Sequence, residues 1–196
     1  MKKKIFNTII ILAIVAISLV GGLIYAAVSE KHKKQDYPVF YRTQIASAAV
    51  RHGIPENTVF AVLHTQSAGN PSYEKEGKVG LYAMTEEKYL ALASLADESR
   101  DTRLRWSPDV SIELCAAELA DALSAFTDKT AAFASLCCGQ EKVRKNIASH
   151  DGKFVLSETD EYTQLFVKTV LKALDAYNEL YPEAPAEQSA GSSAQS

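Results

Sequence analysis

The alternation of apolar and polar positions predicts a string of short helices, and one of them ends unusually. Between Val59 and Gly80, the residues Val59, Val62, Leu63 and Gln66 recur at helical spacing, so an apolar face finishes on an amide. Ser67, Gly69, Asn70 and Pro71 then break the helix. A primary amide closing a core-facing stripe needs hydrogen-bond partners or a water-filled cleft. The mouth of this helix is therefore a candidate binding site. Upstream, Thr43 to His52 predicts a helix carrying Ile45, Ala49 and Val50 and stopped by Gly53. Pro55 and Glu56 suit the first turn of the helix that leads to Gln66.

Downstream, Thr85 is placed to cap a helix with Glu86 and Glu87 in its first turn, and Met84 and Tyr89 form a hydrophobic staple. Asp97 to Trp106 is polar and predicts a loop. Ser107-Pro108-Asp109 opens a helix whose Ile112, Cys115, Leu119, Leu123 and Phe126 keep helical period. Asp128 caps the next, Lys129 to Cys138, and Gly139 ends it. Gln140 to Ser149 follows, with Val143 and Ile147 inward, until His150-Asp151-Gly152 turns the chain. A long helix from about Glu158 to Tyr181 places Tyr162, Leu165, Phe166, Thr169, Leu174 and Tyr177 on one side, and Pro182 stops it. Only Lys153–Leu156 hints at strand alternation, so the expected fold class is all-α.

The N-terminal pattern differs in kind. After Lys2, Lys3 and Lys4, an almost unbroken apolar run spans residues 5–28, about 36 Å as helix, enough to cross a bilayer core. A cleavable signal peptide ending at Ala26-Ala27 is the rival reading. The run is long for one, and Ile24 or Tyr25 would occupy a position that favours small residues. An uncleaved transmembrane anchor is the expectation. Lys31, Lys33 and Lys34 balance the leading lysines, so charge leaves its orientation open. The layout is then a basic N-terminus (1–4), an anchor (5–28), a charged linker (29–36), a folded domain (37–181) and a tail (182–196) too poor in apolar residues to fold.

Composition adds exclusions. The 196 residues are 47% hydrophobic and 23% charged, which fits one folded domain with appendages, and no internal repeat is visible. A net charge of -3 provides no basic footprint for nucleic acid. Three cysteines, Cys115, Cys137 and Cys138, cannot close into a complete disulfide framework. Either Cys115 pairs with one of the other two, or all three are small buried residues, the preferred reading. The histidines are scattered and no metal-ligand spacing occurs, so neither a metal nor a cofactor is expected.

The order of these segments resembles the soluble lytic transglycosylase (SLT) family of lysozyme-like domains, which cut peptidoglycan glycan strands. The resemblance covers Tyr37 to Tyr181. Tyr37-Pro38, Tyr41, the helix end at Ala49–Gly53 and GIPENTVFAVL are similar to the family's opening. QSAGNPSY stands in place of its Glu-Ser-x-Phe-x-Pro motif, and Gly80-Leu81 begins its Gly-Leu-Met-Gln motif. PDVSIELCAAEL is similar to its Asp-Pro-x-x-Asn-Ile-x-x-Gly segment, and Glu158-Thr159-x-x-Tyr162 to its closing helix. The resemblance implies a substrate cleft at Gln66, Ser67, Gly80, Leu81, Tyr82, Cys137, Gly139 and Tyr162.

The chemistry departs from that pattern. Gln66 stands where the family has its catalytic Glu, which protonates the glycosidic oxygen and later accepts a proton from the attacking sugar hydroxyl. An amide donates a hydrogen bond but has no titratable proton for that work. Tyr82-Ala83 replaces Met-Gln, and Leu136, Cys137 and Cys138 replace Tyr-Asn-Ala before Gly139. Glu74 or Glu76, in the following loop, would need partial burial to act as a substitute acid. No catalytic residue is expected. The first reading is a membrane-anchored, non-catalytic domain that binds a peptidoglycan glycan strand or acts as an assembly part beside an envelope protein partner. The alternatives are an active divergent transglycosylase using another acid, and a helical interaction module whose apolar Leu136–Cys138 segment meets a partner chain. The resemblance also implies orientation, with residues 1–4 cytoplasmic and the domain outside.

Overall fold

The computed structural model describes residues 28–95 and 99–182. The anchor expected over 5–28 and the tail over 182–196 lie almost entirely outside them. Among the described residues, no helix is long and apolar enough to cross a membrane. The chain divides into two compact units at Pro38. In the first, residues 28–36 are helical rather than an irregular linker, and Lys34 reaches Glu30 one turn back at 2.6 Å. The alternation of charges over 29–36 suits such i,i+4 pairing.

The second unit opens with α1, Arg42–His52. It buries Ile45, Ala48 and Ala49, while Val50, expected inward, is exposed because it falls beside that stripe. Gly53 ends the helix in the left-handed region (φ 65°), and its N–H bonds to the Ala49 and Val50 carbonyls. Pro55 is the N-cap of α2, Glu56–Ser67, one position before the first turn expected for it.

Helix α2 is not amphipathic. Every residue from Val59 to Leu63 is buried, so it forms the centre of the domain. Helices that are apolar all round are buried all round. A small antiparallel hairpin follows, β1 (Glu74–Lys75) and β2 (Lys78–Val79), pairing Glu74 with Val79 and Lys75 with Lys78. It corrects the all-α expectation to a mostly helical fold with one hairpin. Two-residue strands are too short to show alternation. The sequence sign was the turn: Glu76 and Gly77 both have positive φ, 54° and 77°, as a two-residue hairpin turn of this kind requires.

Helix α3, Glu86–Leu95, starts as expected, with Thr85 Oγ1 accepting from Lys88 N at 3.2 Å. Met84 and Tyr89 are both fully buried. The segment expected as a loop after Asp97 contains a 3-10 helix, Thr102–Trp106, capped by Asp101. Helix α4, Pro108–Ala125, follows a Ser107 cap; α5, Lys129–Cys138, follows an Asp128 cap; and α6, Gln140–Ser149, begins after Gly139. Lys153–Leu156 forms no strand; the chain passes through a short 3-10 turn, Leu156–Glu158. Helix α7, Glu161–Leu180, begins later than Glu158 because Asp160 caps it, accepting from Thr163 N at 2.9 Å and Thr163 Oγ1 at 2.8 Å.

The core forms where α1, α4 and α7 pack around α2, with α7 its main partner. Phe60 of α2 stacks on Tyr177 of α7 with ring centres 5.3 Å apart, and Phe40 meets Phe60 edge-on at 5.4 Å. All three cysteines are free thiols, with Cys115 fully buried.

Candidate functional site

Helices α2 and α7 run antiparallel. Near the start of α2, Asn57 donates from Nδ2 to Asn178 Oδ1 at 3.1 Å and to Tyr181 O at 2.9 Å, near the end of α7. Helix α2 ends at Ser67, where Ala68 turns into the left-handed region (φ 54°) and its N–H closes on His64 O at 2.7 Å. The N-terminal part of α7 continues past that end, and the hairpin stands opposite. The gap between them is a cleft of about 220 Å³. Thr65 and Gln66 supply one wall, Lys75, Glu76 and Lys78 the hairpin wall, and Tyr162, Leu165, Phe166 and Thr169 the α7 wall.

Gln66 is half-buried in this cleft, and its side-chain amide bonds to no described residue. It therefore offers both an N–H donor and a carbonyl acceptor to whatever enters. Tyr162 is 53% exposed and Leu165 66% exposed. Lys78 Nζ donates to the Tyr162 hydroxyl at 2.9 Å and lies over the ring, 4.7 Å from its centre. The ammonium thus lies against the ring as well as its hydroxyl. That bond raises the proton affinity of Lys78, against the opposing effect of its partial burial. Glu76 lies on the rim, exposed, beside Lys75 at 3.9 Å.

Of the cleft residues expected from sequence, Gln66 and Tyr162 meet here. Ser67 does not: it is buried, and its Oγ donates back to Leu63 O at 3.2 Å. Leu81 is a fully buried core residue. Gly80 is buried for a backbone reason, since at φ 77° a Cβ would fall 1.9 Å from Arg105 O. Gly139 is exposed at the α5–α6 junction, where its φ of 84° suits glycine.

Tyr82 is likewise a core residue, 0% exposed. Its hydroxyl donates to Glu118 Oε2 at 2.6 Å, and Lys88 Nζ bridges Glu118 Oε2 at 3.0 Å and Leu136 O at 3.3 Å. Burial, reinforced by Glu118, pushes the Tyr82 phenol well above its ordinary range. Cys137 lies within the electrostatic reach of both Lys88 and Lys78. Burial pushes its thiol up to about 12, so it is a protonated neutral side chain at physiological pH. Leu136 is only 6% exposed and Cys138 donates to Ala134 O at 3.3 Å, which counts against a free apolar docking patch over Leu136–Cys138.

Sequence reasoning missed Lys78, Thr65 and Thr169 as cleft residues. The signal for α7 was present: Tyr162, Leu165, Phe166 and Thr169 form an i, i+3, i+4, i+7 stripe. It lines a cleft because α2 ends before covering it. A roomier hollow of about 350 Å³ lies between α1, the start of α2 and Tyr181. Its Arg42 and Glu56 pair with each other at 3.5 Å, and it is lined by none of the Gln66 cleft residues.

The fold and cleft define a small helical domain in which a hairpin faces the end of a buried central helix. Residues 43–154 match the Transglycosylase SLT domain, and the chain belongs to that family. Among solved structures it is similar to the 70 kDa soluble lytic transglycosylase of Escherichia coli, at 18% identity and a TM-score of 0.71, over 78% of this chain and 26% of that one. It is also similar to lytic transglycosylase Slt from Pseudomonas aeruginosa, in a form described as an inactive mutant with Gln in place of Glu. That match has 22% identity and a TM-score of 0.61, over 73% of this chain and 24% of that one. The chain thus spans about a quarter of the length of either structure. No curated protein matches it.

Proposed function

We propose that this protein is a membrane-anchored, extracytoplasmic, non-catalytic member of its family that binds peptidoglycan glycan strands. One observation carries the reading: Gln66 holds an unengaged amide in an open cleft beside the exposed ring of Tyr162. An aromatic face, an amide and the Thr65 and Thr169 hydroxyls suit the apolar faces and hydroxyls of a saccharide. The same cleft lacks a proton to give at Gln66. Leaving-group departure in glycoside cleavage depends on a carboxylic acid there. The similar Pseudomonas aeruginosa structure, a Gln-for-Glu form described as inactive, supports the same inference.

The test is retention on purified peptidoglycan sacculi. The full-length chain in mild detergent is retained, and Tyr162→Ala is released while keeping its thermal transition. Failure of the wild-type chain to be retained rejects glycan binding and leaves the role in an envelope protein complex. Glu76 in the cleft wall favours a second reading, a divergent enzyme. That reading requires sacculus cleavage that Glu76→Gln abolishes.

A further inference from the structure

Along a β-strand, neighbouring side chains point to opposite faces. In β2 that rule separates Val79, only 5% exposed, from Lys78, which lines the cleft. The backbone around them is pinned. Val79 and Met84 exchange N–H···O bonds at 3.0 and 2.9 Å, and the Gly80 N–H bonds to Tyr73 O at 2.9 Å. On the facing wall, Asp160 caps the first turn of α7, the turn that carries Tyr162. Between these two fixed walls runs one flexible element, the four-carbon stem of Lys78. Its ammonium crosses the gap to bond the Tyr162 hydroxyl at 2.9 Å and lies over the ring, 4.7 Å from its centre. Among the described residues it makes no ion pair, and the neighbouring Glu76 lies beside Lys75 instead, at 3.9 Å.

We propose that Lys78 is an autoinhibitory latch: in the free protein it covers the Tyr162 ring and ties the hairpin to α7, and a ligand must displace it to stack there. This rests on the glycan-binding reading above and adds to it a control on access to the ring. One face of an aromatic ring has room for one occupant, the cation or the apolar face of a sugar. The cleft holds about 220 Å³ with Lys78 across it, so swinging the side chain out to solvent widens the entrance as well as freeing the ring. The bond to the hydroxyl raises the proton affinity of Lys78. The ammonium therefore stays charged at physiological pH, and the ligand rather than a proton opens the latch. A binding-competent state that is only fractionally populated weakens the apparent affinity by that fraction. An exposed cation–π contact supports a bias of about fivefold, which sets the size of the effect.

The experiment uses the full-length chain in mild detergent, isotopically labelled on lysine, with a neutral N-acetylglucosamine tetrasaccharide as the probe. In the free protein the ring current of Tyr162 shifts the Lys78 ε-methylene resonance upfield, and the signal is assigned by its loss in Lys78→Ala. Saturating tetrasaccharide returns it to the position of a solvated lysine. Lys78→Ala binds the tetrasaccharide about fivefold more tightly than the wild type. Lys78→Arg, whose guanidinium also stacks on aromatic faces, stays close to the wild type. An upfield shift that persists at saturation, or an affinity unchanged or weakened in Lys78→Ala, overturns the latch and leaves glycan binding standing. Absence of the shift in the free protein overturns it as well. Binding by neither the wild type nor Lys78→Ala overturns both readings.

Discussion

Gly80→Ala tests whether this position is retained for the backbone or for a ligand. The backbone sits at φ 77°, and a Cβ there would lie 1.9 Å from Arg105 O and 3.0 Å from Arg105 C. Gly80 has little freedom to move, because its N–H bonds to Tyr73 O at 2.9 Å and its carbonyl accepts from Ala83 N at 3.0 Å. Left-handed backbone costs an L-residue about 1–2 kcal/mol. Relieving the clash displaces the main chain at Arg105, an overpacking cost of about 1–3 kcal/mol. It also strains the bond from Ser111 Oγ to Arg105 O, 3.3 Å long, worth about 1 kcal/mol. The expected loss is about 3–5 kcal/mol, which at a urea slope of about 2 kcal/mol per M lowers the unfolding midpoint by about 2 M. Gly53→Ala is the control: φ is 65° but no atom lies within 4 Å of the new Cβ, so only the conformational cost of about 1–2 kcal/mol applies. Equal losses for the two variants in urea denaturation, or a Gly80→Ala loss below about 1 kcal/mol, would refute the steric argument.

Three further outcomes follow from the same geometry. Tyr82→Phe removes a hydroxyl bonded to Glu118 and leaves that carboxylate with Lys88, so it lowers stability by about 1–3 kcal/mol without changing retention on sacculi; weakened retention with unchanged stability would return Tyr82 to the cleft. Burial raises the proton affinity of Glu113, but its bonds to Arg51 and His52 outweigh that and hold its carboxyl below the usual range. Its contribution is therefore present above the unfolded carboxyl value and is lost as pH falls through the lower folded value. Melting temperatures of the wild type and Glu113→Gln should differ at pH 7 and converge as pH falls below about 4; a constant gap would contradict this. Gln66→Glu alone is expected not to restore sacculus cleavage, since Ala83 and Cys137 also depart from the family pattern; anhydro-sugar release by that variant would show a cleft lacking only its acid.

Much of the helical frame was legible because caps and stops are local chemistry. Asp128, Ser107 and Thr85 each cap the helix their position implied, and Gly53 and Gly139 mark the expected ends. The hairpin escaped because its strands hold only Glu74–Lys75 and Lys78–Val79, too short for a period to emerge. At the site, Gln66 was recognisable as an amide closing an apolar stripe, and Tyr162 by its motif. Tyr82 and Leu81 read as cleft residues because motif order carries no depth; only packing against α4 and Lys88 shows that they are interior. The α7 stripe shows the converse. Its spacing is that of a buried face, and its exposure depends on where a different helix ends.

On the proposed reading, Gln66 holds a ligand without a proton to donate. Mass-spectrometric quantification of 1,6-anhydro ends, after prolonged incubation of purified sacculi with the full-length chain, tests it most directly. The expected release is no greater than a buffer blank while the protein remains bound to the sacculi. Anhydro ends accumulating with time and enzyme concentration would contradict it.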